Sequence, residues 1–189
     1  MHKIVFDIET SNFFDETGSN DPASLDLACI CIHDSETDKY TSFKQESLKD
    51  LWPILEKTDL LIGFNSDHFD IPLLNKYYRG DLTKIKSVDL LKEVRKVLGR
   101  RLKLDTLGAA TLGRNKTADG LMANVWWKNG KYQKVIDYCI EDVRLTKDLY
   151  DYARAKGHLK YRDGAVLKDI ALDTSGWEKK EGGQTSSLF

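Results

Sequence analysis

The hydrophobic pattern at the start of the chain predicts strands before helices. Lys3–Thr10 reads KIVFDIET, a short β-branched run typical of a strand that is buried on both faces. Four more strand patterns follow, at residues 25–33, 39–43, 59–64 and 85–88. The polar residues 34–38 predict a hairpin turn between the second and third of these strands.

Helical spacing dominates the second half of the chain. After Gly130, apolar residues recur at three- and four-residue intervals, which predicts a long helix over residues 132–155. Shorter helices are predicted at 48–57, 90–98 and 105–112, and the capping side chains at 65–67 predict a helix that runs to about residue 79. Strands that come first, with helices interleaved after them, indicate an α/β fold in which helices pack on a mixed sheet.

The composition indicates one domain followed by a tail. We expect a domain over residues 1–157 and a small C-terminal extension over 158–174, with a turn or hairpin near Gly164. Residues 175–189 are rich in Gly, Ser and Lys, which predicts a flexible tail. Apolar runs are all shorter than the roughly 18 residues that a membrane span needs, so no membrane partner is expected.

The cysteines indicate a reducing environment. Cys29, Cys31 and Cys139 are odd in number and stand among apolar residues, which predicts buried thiols in a cytoplasmic protein. Cys29 and Cys31 share one strand face, but no second pair of ligands accompanies them, which argues against a zinc site.

The charge balance limits how the protein could bind nucleic acid. The formal net charge is −1, so positive charge for phosphate contacts must be concentrated locally. Residues 84–103 supply such a concentration, since basic residues far outnumber acidic ones there. This surplus indicates either a nucleic-acid contact or a solvated helix surface.

Two acids stand on the first predicted strand. Asp7 and Glu9 are two residues apart, so both side chains leave the same face while Ile8 enters the other. Carboxylates this close repel each other unless a cation neutralises them, and hard cations such as Mg²⁺ and Mn²⁺ accept carboxylate oxygens. Taken alone, an Asp-x-Glu pair is also compatible with a surface or capping role.

Two other segments carry candidate site residues. Asp70 follows a predicted strand-to-helix junction, where sites gather in α/β folds, although the polar residues just before it are also good helix caps. Tyr138 and Asp142 lie four residues apart on the long helix and therefore share one face. A carboxylate one turn from a phenol can hold a metal while the hydroxyl positions a water. The alternative is a half-buried Tyr138 beside an exposed Asp142.

Together these segments resemble a known set of motifs. Phe6-Asp7-Ile8-Glu9-Thr10, Asn65-x3-Phe69-Asp70 and Tyr138-x3-Asp142 are similar to the three exonuclease motifs of the DEDD superfamily, in its DEDDy branch. That branch includes the proofreading domains of family-B DNA polymerases. The resemblance covers residues 3 to about 155. It implies a ribonuclease-H-like fold, a five-stranded mixed sheet with the first strand central and helices flanking it.

The resemblance also implies an activity. The chain would be a 3′→5′ exonuclease with two divalent cations, Mg²⁺ or Mn²⁺, held by four acids, while Tyr138 orients the attacking water. The implied metal ligands are Asp7, Glu9, Asp70 and Asp142. The expected partner is nucleic acid with a free 3′ end, with single-stranded or frayed DNA favoured over RNA. The alternatives are an exoribonuclease of the same superfamily and a degenerate fold that only binds.

Further residues are candidates for substrate contacts. Phe13 and Phe14 could stack on a terminal nucleotide, although packing is the alternative. The candidates for backbone contacts are Asn65, Lys84, Lys86, Arg100, Arg101 and Lys103.

The last residues resemble a different recognition motif. Gln184, Leu188 and Phe189 are similar to a bacterial sliding-clamp-binding peptide of the Gln-x-Ser/Asp-Leu-Phe type, with one extra residue. An arbitrary terminus is the alternative.

Overall fold

A five-stranded mixed sheet is the centre of the protein in the computed structural model, which describes residues 1–114 and 121–179. Its strands lie in the order β3-β2-β1-β4-β5. Their bounds are β1 (Lys3–Thr10), β2 (Leu27–Asp34), β3 (Lys39–Lys44), β4 (Leu60–Gly63) and β5 (Ser87–Asp89). β1 pairs antiparallel with β2 and parallel with β4. The predicted ribonuclease-H-like fold, with its first strand central, is confirmed.

Helices surround this sheet. The α helices of the described residues are α1 (Phe14–Thr17), α2 (Trp52–Leu55), α3 (Asp70–Asn75), α4 (Leu90–Leu98), α5 (Leu104–Leu112), α6 (Leu121–Lys128) and α7 (Tyr132–Lys156). Short 3-10 helices occupy Pro22–Ser24, Gln45–Asp50 and Leu82–Lys84.

Alternation along β1 divides the interior into two cores. Ile4, Phe6 and Ile8 enter one core, while Val5 enters the other, which contains α7. Successive residues of a strand point to opposite faces, so Asp7 and Glu9 leave β1 on the same side as Val5. The strand therefore aims both acids at α7.

The segment before Asp70 differs from its predicted helix. We expected a helix from a cap at residues 65–67 to about 79, but α3 spans only Asp70–Asn75 and Phe69 is its N-cap. Asn65 has a left-handed backbone with φ of 66°, and the Asp89 carboxylate accepts the N–H groups of Asn65 and Asp67. A partner distant in sequence thus holds these residues as a turn.

The C-terminal part adds a hairpin and an anchored segment. β6 (His158–Asp163) and β7 (Val166–Ala171) form a two-stranded antiparallel sheet. Beyond it, the Trp177 ring stacks on Tyr150 with centroids 5.4 Å apart. Residues 175–179, which the sequence placed in the tail, therefore pack on the domain. Gln184, Leu188 and Phe189 lie outside the described residues.

Two predictions from composition concern the cysteines and the membrane. Cys29, Cys31 and Cys139 are free and buried, which confirms the prediction of buried thiols. Within the described part of the chain, every helix is too short or too polar to cross a membrane.

Candidate active site

The first two acids lie near the carboxyl end of β1. In the register with β2, Asp7 stands opposite Cys31 and Glu9 stands opposite Cys29. Paired residues of neighbouring strands share a face, so two small thiols lie beside the two acids. The register shifts between Glu9 and Thr10, where the regular pairing with β2 ends.

Helix α7 supplies the third carboxylate. Carboxylate oxygens of Asp7, Glu9 and Asp142 all lie within 4.8 Å of one another. The Cys139 thiol donates to the main-chain oxygen of Asp7 at 3.3 Å, which ties this turn of α7 to β1. The structure thus brings together a strand and a helix that are more than a hundred residues apart in sequence.

Asp70 approaches the same cluster from α3. Its side chain is 4% exposed, and its charge acts on Asp7. It is not a member of the tight group formed by Asp7, Glu9 and Asp142. The main-chain oxygen of Ser66 accepts the N–H of Ile71 at 2.9 Å, which fixes the turn that delivers Asp70.

The acids of this cluster repel one another. Burial, followed by the charges of Asp142, Asp70 and Glu9, raises the pKa of Asp7 well above its ordinary value. Burial raises the pKa of Asp70 to about 7, against the lowering effect of backbone hydrogen bonds. Such a cluster is stabilised by a cation, and its donors are all oxygens. Hard divalent ions such as Mg²⁺ and Mn²⁺ fit this donor set.

Tyr138 lies against the same carboxylates. Burial and the charges of Asp142 and Glu9 raise the pKa of the Tyr138 hydroxyl above its ordinary value. The hydroxyl hydrogen-bonds to Asp142, and the ring packs edge-on against Trp126 with centroids 6.1 Å apart. Tyr138 is therefore a neutral phenol held in place, which can orient a water molecule but is a poor base.

A cleft adjoins Glu9 and Phe69, the residue before Asp70. It has a volume of about 220 Å³, and its lining includes Glu9, Phe13, Phe14 and Phe69. The Phe14 and Phe69 rings meet edge-on with centroids 6.2 Å apart. The structure thus places both candidate stacking residues, Phe13 and Phe14, beside the acids.

Helix α6 was not predicted, yet it supports this cleft. The Asn124 amide donates to the main-chain oxygen of Asn12 at 2.7 Å and to the Thr10 hydroxyl at 3.3 Å. Lys128 forms an ion pair with Glu16 at 2.7 Å. Asn124 and Lys128 thus fix the loop after β1. The sequence signal was weak because this short helix has no strong apolar stripe.

The candidate basic residues are distributed over several places. Arg101 donates to the Asn65 side-chain oxygen at 3.0 Å, and both residues line a cavity that is separate from the aromatic cleft. Lys86, which precedes β5, instead donates to the main-chain oxygens of Gly176 and Lys179, at the end of the sheet remote from the acids.

Three further basic candidates lie elsewhere. Lys84 ends the 3-10 helix before β5, Arg100 lies over the Tyr161 ring at 5.5 Å, and Lys103 precedes α5. The structure therefore brings Asn65 and Arg101 together near Asp70, but it does not bring Lys84, Lys86 or Arg100 to that place.

Asp89 is a supporting residue that the sequence reasoning missed. It is 4% exposed, and its oxygens accept backbone N–H groups from Asn65, Asp67, Leu91 and Lys92. It joins the N-terminus of α4 to the turn that carries Asp70. An Asp between a strand and a helix is a good cap candidate, and that signal was available in the sequence.

A protein-family model matches most of this chain. Residues 4–154 match the model of the RNase_H superfamily. A search of curated proteins gave no match.

Two solved structures share the fold. One is the family B DNA polymerase from the hyperthermophilic archaeon Pyrobaculum calidifontis, with 19% identity and a TM-score of 0.63, over 81% of this chain and 24% of that chain. The other is RNase D from Trypanosoma brucei, with 16% identity and a TM-score of 0.58, over 79% of this chain and 56% of that chain. At these identities the likeness is one of fold.

Proposed function

The chain belongs to the RNase_H superfamily, and we propose that it is a metal-dependent 3′→5′ exonuclease. The observation that carries this proposal is the convergence of Asp7, Glu9 and Asp142 within 4.8 Å, with the Tyr138 hydroxyl bonded to Asp142. The reaction is hydrolysis of the phosphodiester bond at the 3′ end of a strand, with release of nucleoside 5′-monophosphates.

The acids would hold two divalent cations, Mg²⁺ or Mn²⁺. Asp7, Glu9 and Asp142 would hold one ion, and Asp7 with Asp70 would hold the other, directly or through water. When bound, the ions supply positive charge that lowers the pKa of water and stabilises the leaving oxygen. The repulsion of Asp7 by Asp142, Asp70 and Glu9 supports this assignment, because a bound cation relieves it.

The other residues of the site position the reactants. Tyr138 accepts a hydrogen bond from the attacking water and holds it in line, since its neutral hydroxyl already donates to Asp142. Phe13 and Phe14 stack on the terminal base in the cleft beside Glu9. The water attacks phosphorus directly, so the reaction passes through no covalent enzyme intermediate.

Single-stranded or frayed DNA is the substrate that we propose. The polymerase of similar fold is a DNA enzyme by its name, and the Asp7, Asp70 and Tyr138 motifs resemble those of proofreading domains. RNA is the second candidate, favoured by the fold shared with RNase D. A contact with the ribose 2′-hydroxyl would distinguish the two.

End-labelled oligonucleotides test the proposal. We expect matched 5′-labelled DNA and RNA strands to shorten one nucleotide at a time with Mg²⁺ or Mn²⁺, and to remain intact with chelator. Asp7→Ala should remain folded and leave both strands intact. Binding of the strands without hydrolysis under any divalent ion would reject the exonuclease and favour a fold that only binds.

The tail and the cell location complete the proposal. Gln184, Leu188 and Phe189 would bind a bacterial-type sliding clamp and so place the enzyme in DNA replication or repair. A pull-down with clamp tests this, and equal capture after deletion of residues 184–189 would remove the idea. The three free thiols support a cytoplasmic location.

A further inference from the structure

A second cavity adjoins the same turn, residues 65–69, whose Phe69 lines the aromatic cleft. Its volume is about 370 Å³, and its walls come from the turn before Asp70 and from the first two turns of α4. The lining residues are Asn65, Asp67, His68, Asp89, Leu91, Lys92, Arg95 and Arg101. Three cations thus face this space against two acids.

Both acids of this cavity are already satisfied. Asp67 accepts from the Ser87 hydroxyl and from the Lys92 ammonium group, each at 2.6 Å. The Asp89 oxygens accept only backbone N–H groups. Neither carboxylate therefore needs a positively charged ligand as a further partner.

The arginines, in contrast, keep unused donors. Arg101 gives one N–H to the Asn65 side-chain oxygen, which orients its guanidinium group. The Arg95 guanidinium has no hydrogen bond or ion pair to any side chain within residues 1–114 and 121–179. A guanidinium group matches the geometry of a phosphate, so the donors of this cavity suit an anion.

The turn before Asp70 separates this cavity from the aromatic cleft. Phe69 lines the cleft beside Glu9, whereas Asn65 and His68 line the cavity. The main-chain N–H of Phe69 donates to the Asn65 oxygen at 3.0 Å, so the two walls are one compact turn. A strand whose last base lies in the cleft, with its scissile phosphate at the acids, would pass its preceding phosphate to the cavity.

We propose that this cavity binds the phosphodiester one nucleotide upstream of the scissile bond, with Arg95 and Arg101 as its donors. The proposal rests on the exonuclease function and deepens it, because it gives the enzyme a reason to prefer a polymer over a single nucleotide. The ligand chemistry is the phosphate of a nucleic acid backbone, common to DNA and RNA.

Two substrates distinguish binding of the upstream phosphate from a general loss of activity. Thymidine 5′-(4-nitrophenyl phosphate) has a scissile phosphate but no upstream one, whereas a decathymidylate has both. Arg95→Ala should lower kcat/KM for the decamer by about 10- to 50-fold, in line with a lost charge-assisted hydrogen bond. It should change kcat/KM for the nitrophenyl ester by less than about twofold, because no contact of the ester is lost.

Arg162→Ala is the matched control. Arg162 is an exposed arginine on β6, so its removal lowers the net charge equally and should affect neither substrate. The same variants are compared in the Asp7→Asn background with Mg²⁺, by fluorescence anisotropy of labelled decamer. Arg95→Ala should weaken binding and reduce the slope of log Kd against log salt by about one, which Arg162→Ala should not do.

The outcomes are distinguishable. Equal losses on both substrates, or no loss on the decamer, overturn the cavity assignment while hydrolysis by the wild type retains the exonuclease. A wild type that cleaves neither substrate rejects the exonuclease. In that case the anisotropy measurement still decides the cavity, because equal Kd values for Arg95→Ala and Arg162→Ala overturn it.

Discussion

Single carboxylates in this site act on activity and on stability with opposite signs. Asp142→Asn removes one charge from a crowded cluster while keeping the shape of the side chain. We expect kcat to fall by about 1000-fold or more, because in the proposed mechanism the acids hold the ions on which hydrolysis depends. The metal-free protein should melt at a higher temperature than the wild type, since repulsion among the acids is reduced. Thermal unfolding in chelator checks this, and a lower melting temperature would contradict it.

Asp70 makes the stability of the metal-free protein depend on pH. Its pKa is about 7 in the folded state, against about 3.9 in an unfolded chain. The folded state therefore keeps a proton that the unfolded state releases, and stability falls as pH rises from about 4 to about 7. Urea unfolding in chelator at pH 5 and pH 8 measures this loss. Asp70→Asn should reduce the difference between the two pH values, and an unchanged difference would show that another group causes it.

The Tyr138 hydroxyl can be tested apart from its ring. Tyr138→Phe keeps the edge-on packing against Trp126 but removes the hydrogen bond to Asp142, so the melting temperature should fall by only about 2 to 4 °C. Loss of the hydrogen bond that we propose to the attacking water should lower kcat by about 10- to 100-fold with KM nearly unchanged. Steady-state kinetics on a decamer decide, and a rise in KM at constant kcat would assign the hydroxyl to substrate binding instead.

β4 packs tightly against the turn that follows it, residues 65–69. A Cβ at Gly63 would overlap the Ser66 side chain, which belongs to the turn that carries Asp70. Gly63→Ala should therefore destabilise the fold by about 1 to 3 kcal/mol and lower activity, because the turn must shift. Gly176→Ala is the control, since its Cβ would meet nothing within 4 Å. Urea unfolding and the exonuclease assay compare the two variants.

Some elements of the candidate site could be predicted from the sequence alone, and others could not. β1 and α7 follow from strong local patterns, and they carry Asp7, Glu9, Tyr138 and Asp142. The turn at residues 65–69 does not, because its shape depends on Asp89, more than twenty residues later. Residues 65–67 have side chains that could cap a helix. The distant Asp89 carboxylate instead accepts the backbone N–H groups of Asn65 and Asp67 and holds these residues in a turn.

The segment after the β6–β7 hairpin, residues 175–179, packs against both β1 and α7. Glu178 accepts from Lys3 and Arg154, and the buried Trp177 stacks on Tyr150. Composition alone could not predict this, since Gly, Ser and Lys dominate the surrounding residues and the stacking partner lies on α7. The sequence thus predicts the acids that the fold brings together better than it predicts how residues 175–179 pack.

Trp177→Ala measures how much the packing of residues 175–179 contributes to the free energy of unfolding. Trp177 is 5% exposed, and removal of a buried tryptophan typically costs about 3 to 5 kcal/mol. We expect a large fall in the free energy of unfolding, with kcat nearly unchanged at temperatures where the variant is folded, because Trp177 lies far from the acids. Leu167→Ala, at a site that is 44% exposed, is the control. A selective loss of kcat would connect this segment to the chemistry.

The division of the acids between β1 and α7 has a practical consequence. A fragment of residues 1–114 would hold Asp7, Glu9 and Asp70, and a fragment of residues 121–179 would hold Tyr138 and Asp142. Each half would lack acids that only the other supplies. If the proposed nuclease activity is found, cutting of a fluorescent oligonucleotide would report directly on the association of the two halves, as in a split reporter.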